Sequence, residues 1–417
     1  MISRVLSAEL AEHAGQRVKV AGWVHRRRLL KSVSFLIVRD RAGLTQVVCS
    51  GELPVEESVV EVTGIVTVNP QAPGGVELTA PELTVLAEPA KAPPFDLYRP
   101  TVPAALPTIL DHAPVALRHP ALRAPFEIAA ASVAGFRSAL DGLGFTEIQT
   151  PKIVASATES GANVFGIDYF GRPAYLAQSP QFFKQAMVGV FERVYEVGPV
   201  FRAEPHDTAR HLAQYTSLDA ELGFVRDHRD VMAVLREAIA GMTEAVRHRA
   251  ATAVATLGIT LPEVPREIPS IHFTEAQAMT GEDELDLSPA QERWLSEWAL
   301  REHGSDFLFV TGYPMAKRPF YTCPDPERPG HSNGFDLLFR GLELVTGGQR
   351  LHRYEDYLAV LGDESGPYEG YLSAFAHGMP PHGGFAIGLE RWTSRLTGAA
   401  NVRSATLFPR DLHRLAP

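Results

Sequence analysis

Phe201-Arg202-Ala203-Glu204, followed by Arg210-His211, and Gly388-Leu389-Glu390-Arg391 far downstream are the stretches whose joint reading decides the fold. Each sets an arginine beside a strand or turn, where a polyphosphate needs fixed positive charge. Either alone reads as a surface salt bridge. Between them lie Gln178-Ser179-Pro180-Gln181-Phe182-Phe183-Lys184 and Gly347-Gly348-Gln349-Arg350, an order that is hard to assemble by chance.

The 417 residues suffice for two or three domains, each with its own core. No run of about 18 apolar residues suggests a membrane span. The first residues, with Arg4, Glu9 and Glu12, lack the apolar stretch of a signal peptide, so a cytoplasmic protein is expected. Cys49 and Cys323 have no CxxC partner, which argues against a disulfide framework or a zinc site. A net charge of −10 does not advertise a nucleic-acid binder, but Arg26-Arg27-Arg28 with Lys31 forms a local basic cluster. That run also fits a solvated loop.

Upstream, Val18 to Val24, Ser34 to Val38, Thr45 to Cys49, Val59 to Val68 and Val76 to Val85 read as short strands separated by turns. Five strands at this spacing suit a small closed barrel, of which the OB-fold is one kind. Residues 1–90 are therefore expected to form this domain. Prolines crowd residues 91–125, predicting a semi-rigid hinge without regular strands or a long helix. A helix is expected after Pro125, with Phe126, Ala129, Val133, Phe136, Leu140 and Leu143 as one apolar stripe. A strand from Phe145 to Thr150 then runs into Pro151. Residues 126–417 read as one further α+β domain, with a helical stretch near Asp230 to Thr256. Residues 257–303 show no readable chemistry and are treated as a small helical insertion. His206 and His211 lack a matching acid motif, so a metal is not expected there.

Taken together, these stretches resemble the three signature motifs of class II aminoacyl-tRNA synthetases, and within them the aspartyl enzymes, over nearly the whole chain. The resemblance implies an N-terminal OB-fold anticodon-binding barrel and a catalytic domain on an antiparallel sheet flanked by helices. It also implies a homodimer joined by the helix and strand ending at Pro151. The implied reaction is ATP-dependent formation of aspartyl-adenylate and transfer of aspartate to tRNA. In-line adenylation needs bent ATP, stabilised pentavalent charge and a held amino acid, and no covalent nucleophile. By resemblance Arg202 holds the α-phosphate, Glu204 lies at the adenine and acceptor side, Arg210 belongs to the ATP site, and His211 reaches the outer phosphates. Tyr215 stacks on adenine, and Gly388 and Arg391 cover the opposite side. Without its place four residues after His211, Tyr215 would read as an ordinary core aromatic.

Asp336 and Glu343 flank Arg340-Gly341, and a turn there folds both acids together among leucines, where they need a counter-charge. The family uses this pair as Mg²⁺ ligands, and Thr346 keeps the hydroxyl of the serine usual in that segment. Burying a substrate carboxylate is costly unless a bidentate arginine meets it. Arg350 is the matching residue, assisted by Lys184. Gln181 and Asp219 are expected at the α-ammonium with Ser217 beside them, and Glu159 on a loop that closes over the amino acid.

In the barrel, Phe35 matches the aromatic on which the central anticodon base stacks, and Arg28, Gln46 and Glu77 match its hydrogen-bonding partners. Phe35 alone would read as barrel core. His25 and Pro73 resemble the pair found in members that charge both tRNA(Asp) and tRNA(Asn), although both residues also suit simple packing at the barrel rim. Proline offers no side-chain donor and no backbone N–H to select between two pyrimidines. A downstream amidotransferase acting on Asp-tRNA(Asn) is then implied as a partner. The alternatives are a strictly discriminating enzyme, an asparaginyl enzyme and a catalytically inactive RNA-binding paralogue. Lys184 and Ser217-Leu218-Asp219 stand against the second, and the full set of arginines and acids against the third.

Overall fold

In the computed structural model, which describes residues 3–31, 33–156, 163–281 and 284–416, alternation of apolar and polar side chains builds the first sheet. Val18, Val20 and Val24 of β1 (Arg17–Leu29) point inward. They meet Leu36 and Val38 of β2 (Ser34–Arg39), Val47 of β3 (Leu44–Cys49), Val60 and Val62 of β4 (Val59–Val68) and Leu78 of β5 (Val76–Ala87). The strands close into a barrel in the order β1-β2-β3-β5-β4. Arg26 to Arg28 lie on β1 rather than in a loop, and Arg27 pairs with Glu56 at 2.8 Å.

The proline-rich segment departs from expectation. It contains two short helices, α1 (Leu106–Asp111) and α2 (Ala113–Ala116), and α3 (Pro120–Gly142) begins before Pro125 instead of after it. Pro120 suits the first helical position because its fixed φ matches and its missing N–H has no acceptor to lose. Pro125 gives up one backbone donor inside the helix, but its ring is buried with Ala124 and Ile128 on the packed face. The expected stripe is correspondingly divided: Phe136 and Leu140 are buried, whereas Phe126, Ala129 and Val133 are only partly covered. By its internal contacts the chain separates into Met1–His119 and Pro120–Pro417.

The second unit runs from α3 through β6 (Thr146–Glu147) to a three-stranded sheet of β7 (Ile153–Val154), β8 (Gly166–Tyr169) and β9 (Arg172–Leu176). Then come α4 (Gln181–Phe191), β10 (Arg193–Phe201), β11 (Gln214–Gly223), α5 (His228–Arg249) and α6 (Ala251–Leu257). They are followed by β12 (Ser270–His272), α7 (Phe273–Thr280), α8 (Pro289–His303), β13 (Phe307–Thr311), β14 (Gly334–Phe339) and β15 (Leu342–Gln349). The last elements are α9 (Tyr354–Leu361), α10 (Glu369–Ala376), β16 (His382–Gly388) and α11 (Leu389–Thr397).

Eight of these strands form one sheet in the order β12-β13-β14-β15-β16-β11-β10-β6. All neighbours are antiparallel except β12 with β13 and β6 with β10. The period of two decides its faces. Leu218, Ala220 and Leu222 of β11, Phe335, Leu337 and Phe339 of β14, and Phe385 and Ile387 of β16 pack on Ile128, Leu235, Ile239 and Trp392. The intervening residues Tyr215, Ser217, Asp219 and Glu221 therefore project from the opposite face. Residues 257–303 are more than a helical insertion, since β12 forms the edge of this sheet and α8 packs on β13 through Leu295 and Leu308.

Candidate active site

The polar face of the sheet frames a cavity of about 280 Å³. On one side stand Arg202, Glu204, Arg210, His211 and Tyr215 from β10, β11 and the loop joining them, and on the other Gly388 and Arg391. The Arg202 guanidinium lies 5.7 Å from the Tyr215 ring centroid. Gln181, Lys184, Ser217 and Arg350 line the same space, as do Glu343 and Thr346. The two arginine-bearing stretches, about 190 residues apart, thus face one cleft because β11 and β16 are neighbours, with Ser217 opposite Gly388. Asp219 and Asp336 do not line the cleft but stand directly behind it, almost fully buried. Glu159, expected on a closing loop, falls outside the described residues.

Arg350 is locked before any ligand arrives. Its Nε donates to Glu221 Oε1 at 2.9 Å and its Nη2 to the Gly384 carbonyl at 3.0 Å. Lys184 Nζ donates to Asp219 Oδ1 at 3.0 Å and to the Phe385 carbonyl at 3.2 Å, and lies 3.3 Å from Glu221 Oε2. Ser217 Oγ donates to the second oxygen of Asp219. Burial alone would raise the Glu221 pKa, yet Arg350 and Lys184 hold it below the ordinary carboxylate range. Gly384 makes room for this arrangement: a Cβ there would meet Glu221 Oε2 at 2.0 Å and the Ala220 carbonyl at 2.2 Å. Gln181 Nε2 is buried and makes no hydrogen bond among the described residues, leaving a donor for a ligand.

The acid pair of the β14–β15 hairpin is asymmetric. Asp336 is pushed up to about 6, chiefly by burial, against the pull of Arg318 and with the Glu343 charge adding to the rise. Its Oδ2 accepts from Arg318 Nη2 at 3.1 Å, while among the described residues its buried Oδ1 makes no hydrogen bond; the neighbouring Tyr313 hydroxyl eases the rise. Glu343 is half-buried, accepts from Thr346 Oγ1 at 3.2 Å and lies 3.8 Å from Arg391 Nη1. This all-oxygen set with an orphaned buried oxygen fits a hard cation such as Mg²⁺.

Sequence reasoning missed several supporting acids. Glu292 of α8, in the segment read as chemically silent, accepts from Arg210 Nη2 at 3.1 Å and from the Glu343 backbone N–H at 3.1 Å. Glu390 accepts from the Thr216 N–H with both oxygens at 3.0 Å, and burial lifts it to about 7. Glu221 carried a usable signal, since it continues the alternation Ser217, Asp219 on one strand face. Glu292 carried none, because its partner Arg210 lies 82 residues away. No metal was expected at His206 and His211 for want of a matching acid motif; Glu204, His206 and His211 present ligand atoms within 4.8 Å of one another.

Most of the barrel's nucleic-acid candidates lie on its outward-facing side, where Gln46 is buried. Strand register places Arg26, Ile37, Gln46 and Glu77 in one row across β1, β2, β3 and β5, and Arg28, Phe35 and Val48 two rows further along, on the same face. Phe35 is half-exposed and does not belong to the barrel core. Gln46 Nε2 and Asn69 Nδ2 donate to Glu77 Oε2 at 2.8 and 2.9 Å. His25 occupies a bulge in β1, with Nδ1 3.1 Å from Arg39 Nη1, and burial beside that arginine lowers it to about 4. Pro73 starts the 3₁₀ turn before β5, in the loop that Asn69 ties to Glu77.

This combination of barrel, antiparallel sheet and arginine-lined cleft defines a nucleotide-using enzyme with a nucleic-acid-binding appendage. Residues 106–412 match the family described as tRNA synthetases class II (D, K and N), and residues 18–86 match the OB-fold nucleic acid binding domain. The chain belongs to the class II tRNA synthetases of this D, K and N group. It is 48% identical over 423 residues to a Thermus thermophilus protein named aspartate--tRNA(Asp/Asn) ligase, covering 99% of this chain and 100% of that one. A Deinococcus radiodurans protein of the same name is 48% identical over 431 residues, covering 100% and 99%. Among solved structures, asparaginyl-tRNA synthetase from Pyrococcus horikoshii complexed with asparaginyl-adenylate is similar with a TM-score of 0.92, 30% identity and full coverage of both chains.

Proposed function

We propose that this protein activates L-aspartate with ATP and transfers it to both tRNA(Asp) and tRNA(Asn). The observation that carries the amino-acid assignment is Arg350, a buried guanidinium on the cavity wall whose Nε and Nη2 are already committed to Glu221 and Gly384. With Lys184 beside it, the site presents cations to the substrate side chain. A carboxylate satisfies them, whereas the NH₂ of asparagine would point donors at cations. Gln181 and Ser217 face the α-ammonium group, with the Asp219 carboxylate behind Ser217, and Glu159 is assigned to the amino-acid site.

Arg202 draws charge from the α-phosphate as the carboxylate attacks, and Arg210, His211 and Arg391 hold the outer phosphates. Tyr215 supplies the adenine platform, with Glu204 and Gly388 at its margins. Asp336, Glu343 and the Thr346 hydroxyl are the groups that would hold Mg²⁺, which when bound neutralises phosphate charge.

Relaxed tRNA choice is supported by His25 and Pro73, neither of which offers a charged donor to the third anticodon base, and by the names of the two bacterial relatives. Phe35 stacks the central base, and Arg28, Gln46 and Glu77 read its edge. The product Asp-tRNA(Asn) requires a downstream amidotransferase. Phe126, Ala129 and Val133 share a second cleft with Leu389, Leu407 and Phe408, and this half-exposed apolar surface supports a homodimer. Among the described residues no helix is long and apolar enough to cross a membrane, in keeping with a cytoplasmic enzyme. The test is aminoacylation of tRNA(Asp) and tRNA(Asn) transcripts with labelled aspartate, in which comparable rates are expected. Charging of tRNA(Asn) hundreds of times slower would overturn the relaxed specificity.

A further inference from the structure

We propose that Glu204, His206 and His211 form a site for one borderline-soft divalent cation, of which Zn²⁺ is the physiological example, and that a cation seated there excludes the outer phosphates of ATP. The ligand atoms of the three side chains lie within 4.8 Å of one another. Bonds of about 2.0–2.2 Å to a single ion require them to close in further, a movement of side chains only. Two imidazoles and one carboxylate suit zinc, cobalt or nickel rather than magnesium. With three protein ligands and a fourth position open to water, the site would resemble an open rather than a sealed centre.

Local structure favours this convergence. All three residues belong to the loop between β10 and β11, where the His206 N–H donates to the Glu204 carbonyl at 2.8 Å and turns the chain back on itself. His206 Nδ1 lies 3.5 Å from Glu204 Oε2, and the two imidazole centroids are 5.0 Å apart. Thr208 Oγ1 is 2.6 Å from His211 Nδ1, which orients that ring and leaves Nε2 for a ligand. The His206 side chain is 56% exposed, so an ion reaches the site from solvent. Arg391 and Arg210 oppose a cation here, and the Glu204 charge offsets only part of that repulsion.

His206 does not line the ATP cleft, whereas Glu204 and His211 do. The metal therefore borrows two residues of the cleft and adds one from outside it. Metal binding itself does not depend on the proposed reaction, but the exclusion of ATP rests on the assignment of His211 to the outer phosphates.

The experiment titrates the full-length protein, without ATP, with Co²⁺ and follows its visible ligand-field bands. One Co²⁺ per chain is expected, displaced by Zn²⁺, with affinity at least tenfold weaker in His206→Ala and His206→Gln and unchanged in the control His331→Ala. Mg·ATP should weaken the apparent affinity for Co²⁺. In aspartate-dependent pyrophosphate exchange, Zn²⁺ should raise the KM for ATP without lowering kcat, and His206→Ala should lose that inhibition while keeping its basal rate. Undiminished Co²⁺ binding by both His206 variants, or a thiolate-to-cobalt band pointing to Cys49 or Cys323, would overturn the site. Co²⁺ binding that is lost in the variants but indifferent to ATP would overturn the exclusion. Absence of aspartate-dependent exchange would count against the proposed reaction and leave the spectroscopic result readable.

Discussion

Arg350 and Glu221 lie 129 residues apart in sequence and are joined at 2.9 Å beneath the cavity, both almost wholly removed from water. Breaking a buried pair by deleting one partner is far costlier than the pair's net contribution, because the survivor is left unsolvated. Glu221 also lies beside Lys184, so it balances two cations at the site.

The first prediction follows from that arrangement. Arg350→Leu should abolish aspartate-dependent pyrophosphate exchange, because the substrate carboxylate loses its bidentate partner. Glu221→Ala should destabilise the fold by about 3–5 kcal/mol, and Glu221→Gln by less, with a raised KM for aspartate in both. Denaturant melts and exchange kinetics read the two effects separately. Exchange supported equally by asparagine would contradict the assignment of the side-chain site.

Among the described residues one buried oxygen of Asp336 makes no hydrogen bond. Chelation of Mg²⁺ should stop exchange, and Asp336→Asn or Glu343→Gln should lower it by about a hundredfold or more, the kinetic equivalent of several kcal/mol. The thermal shift produced by Mg·ATP in the native protein should shrink in both variants. A variant with full exchange activity would remove these residues from the metal site.

Half-exposed Phe126, Ala129 and Val133 are expected to be covered by a second copy of the chain. Sedimentation should give a dimer at micromolar concentration, and Val133→Glu should yield monomer with reduced activity. A fully active native monomer would exclude the interface.

His382 is fully buried, with Nδ1 donating to the Pro380 carbonyl at 2.9 Å, and burial lowers its pKa from 6.5 to about 4. Between those values the unfolded chain takes up a proton that the folded chain refuses, so stability falls as pH drops from about 6.5 to about 4. The full effect is on the order of 3 kcal/mol. His382→Gln should remove this part of the acid-side loss, measured as the difference in Tm between pH 7 and pH 4.5. The raised Asp336 and Glu390 act in the opposite direction but are common to both proteins and cancel in the comparison.

Pro73→Lys restores a charged donor beside the loop that Asn69 ties to Glu77. Charging of tRNA(Asn) should fall while charging of tRNA(Asp) is retained, at a cost of about 1–3 kcal/mol for the disfavoured base. Equal losses on both tRNAs would mean that the loop contributes structure rather than choice.

The barrel was legible in the sequence because Val18, Val20 and Val24, and their counterparts in four further strands, repeat with the pleat's own period of two. Arg202, Arg350 and Arg391 were legible for a different reason: their neighbours form short ordered stretches whose sequence survives without reference to the third dimension. The start of α3 was not. Proline density around Pro120 and Pro125 argues locally against a helix, and the burial of Pro125 in the packed face overrides that propensity.

What the sequence by itself determined was which residues could share a face, since alternation along β11 already aligns Tyr215, Ser217, Asp219 and Glu221. Which charges would meet was decided only by the tertiary structure. Glu221 finds Arg350, Glu292 finds Arg210 and Glu390 finds the Thr216 N–H across 129, 82 and 174 residues. Such pairings depend on strand order and register in the sheet. These are set by the packing of its apolar face on α3 and α5, and no local pattern around either partner encodes them.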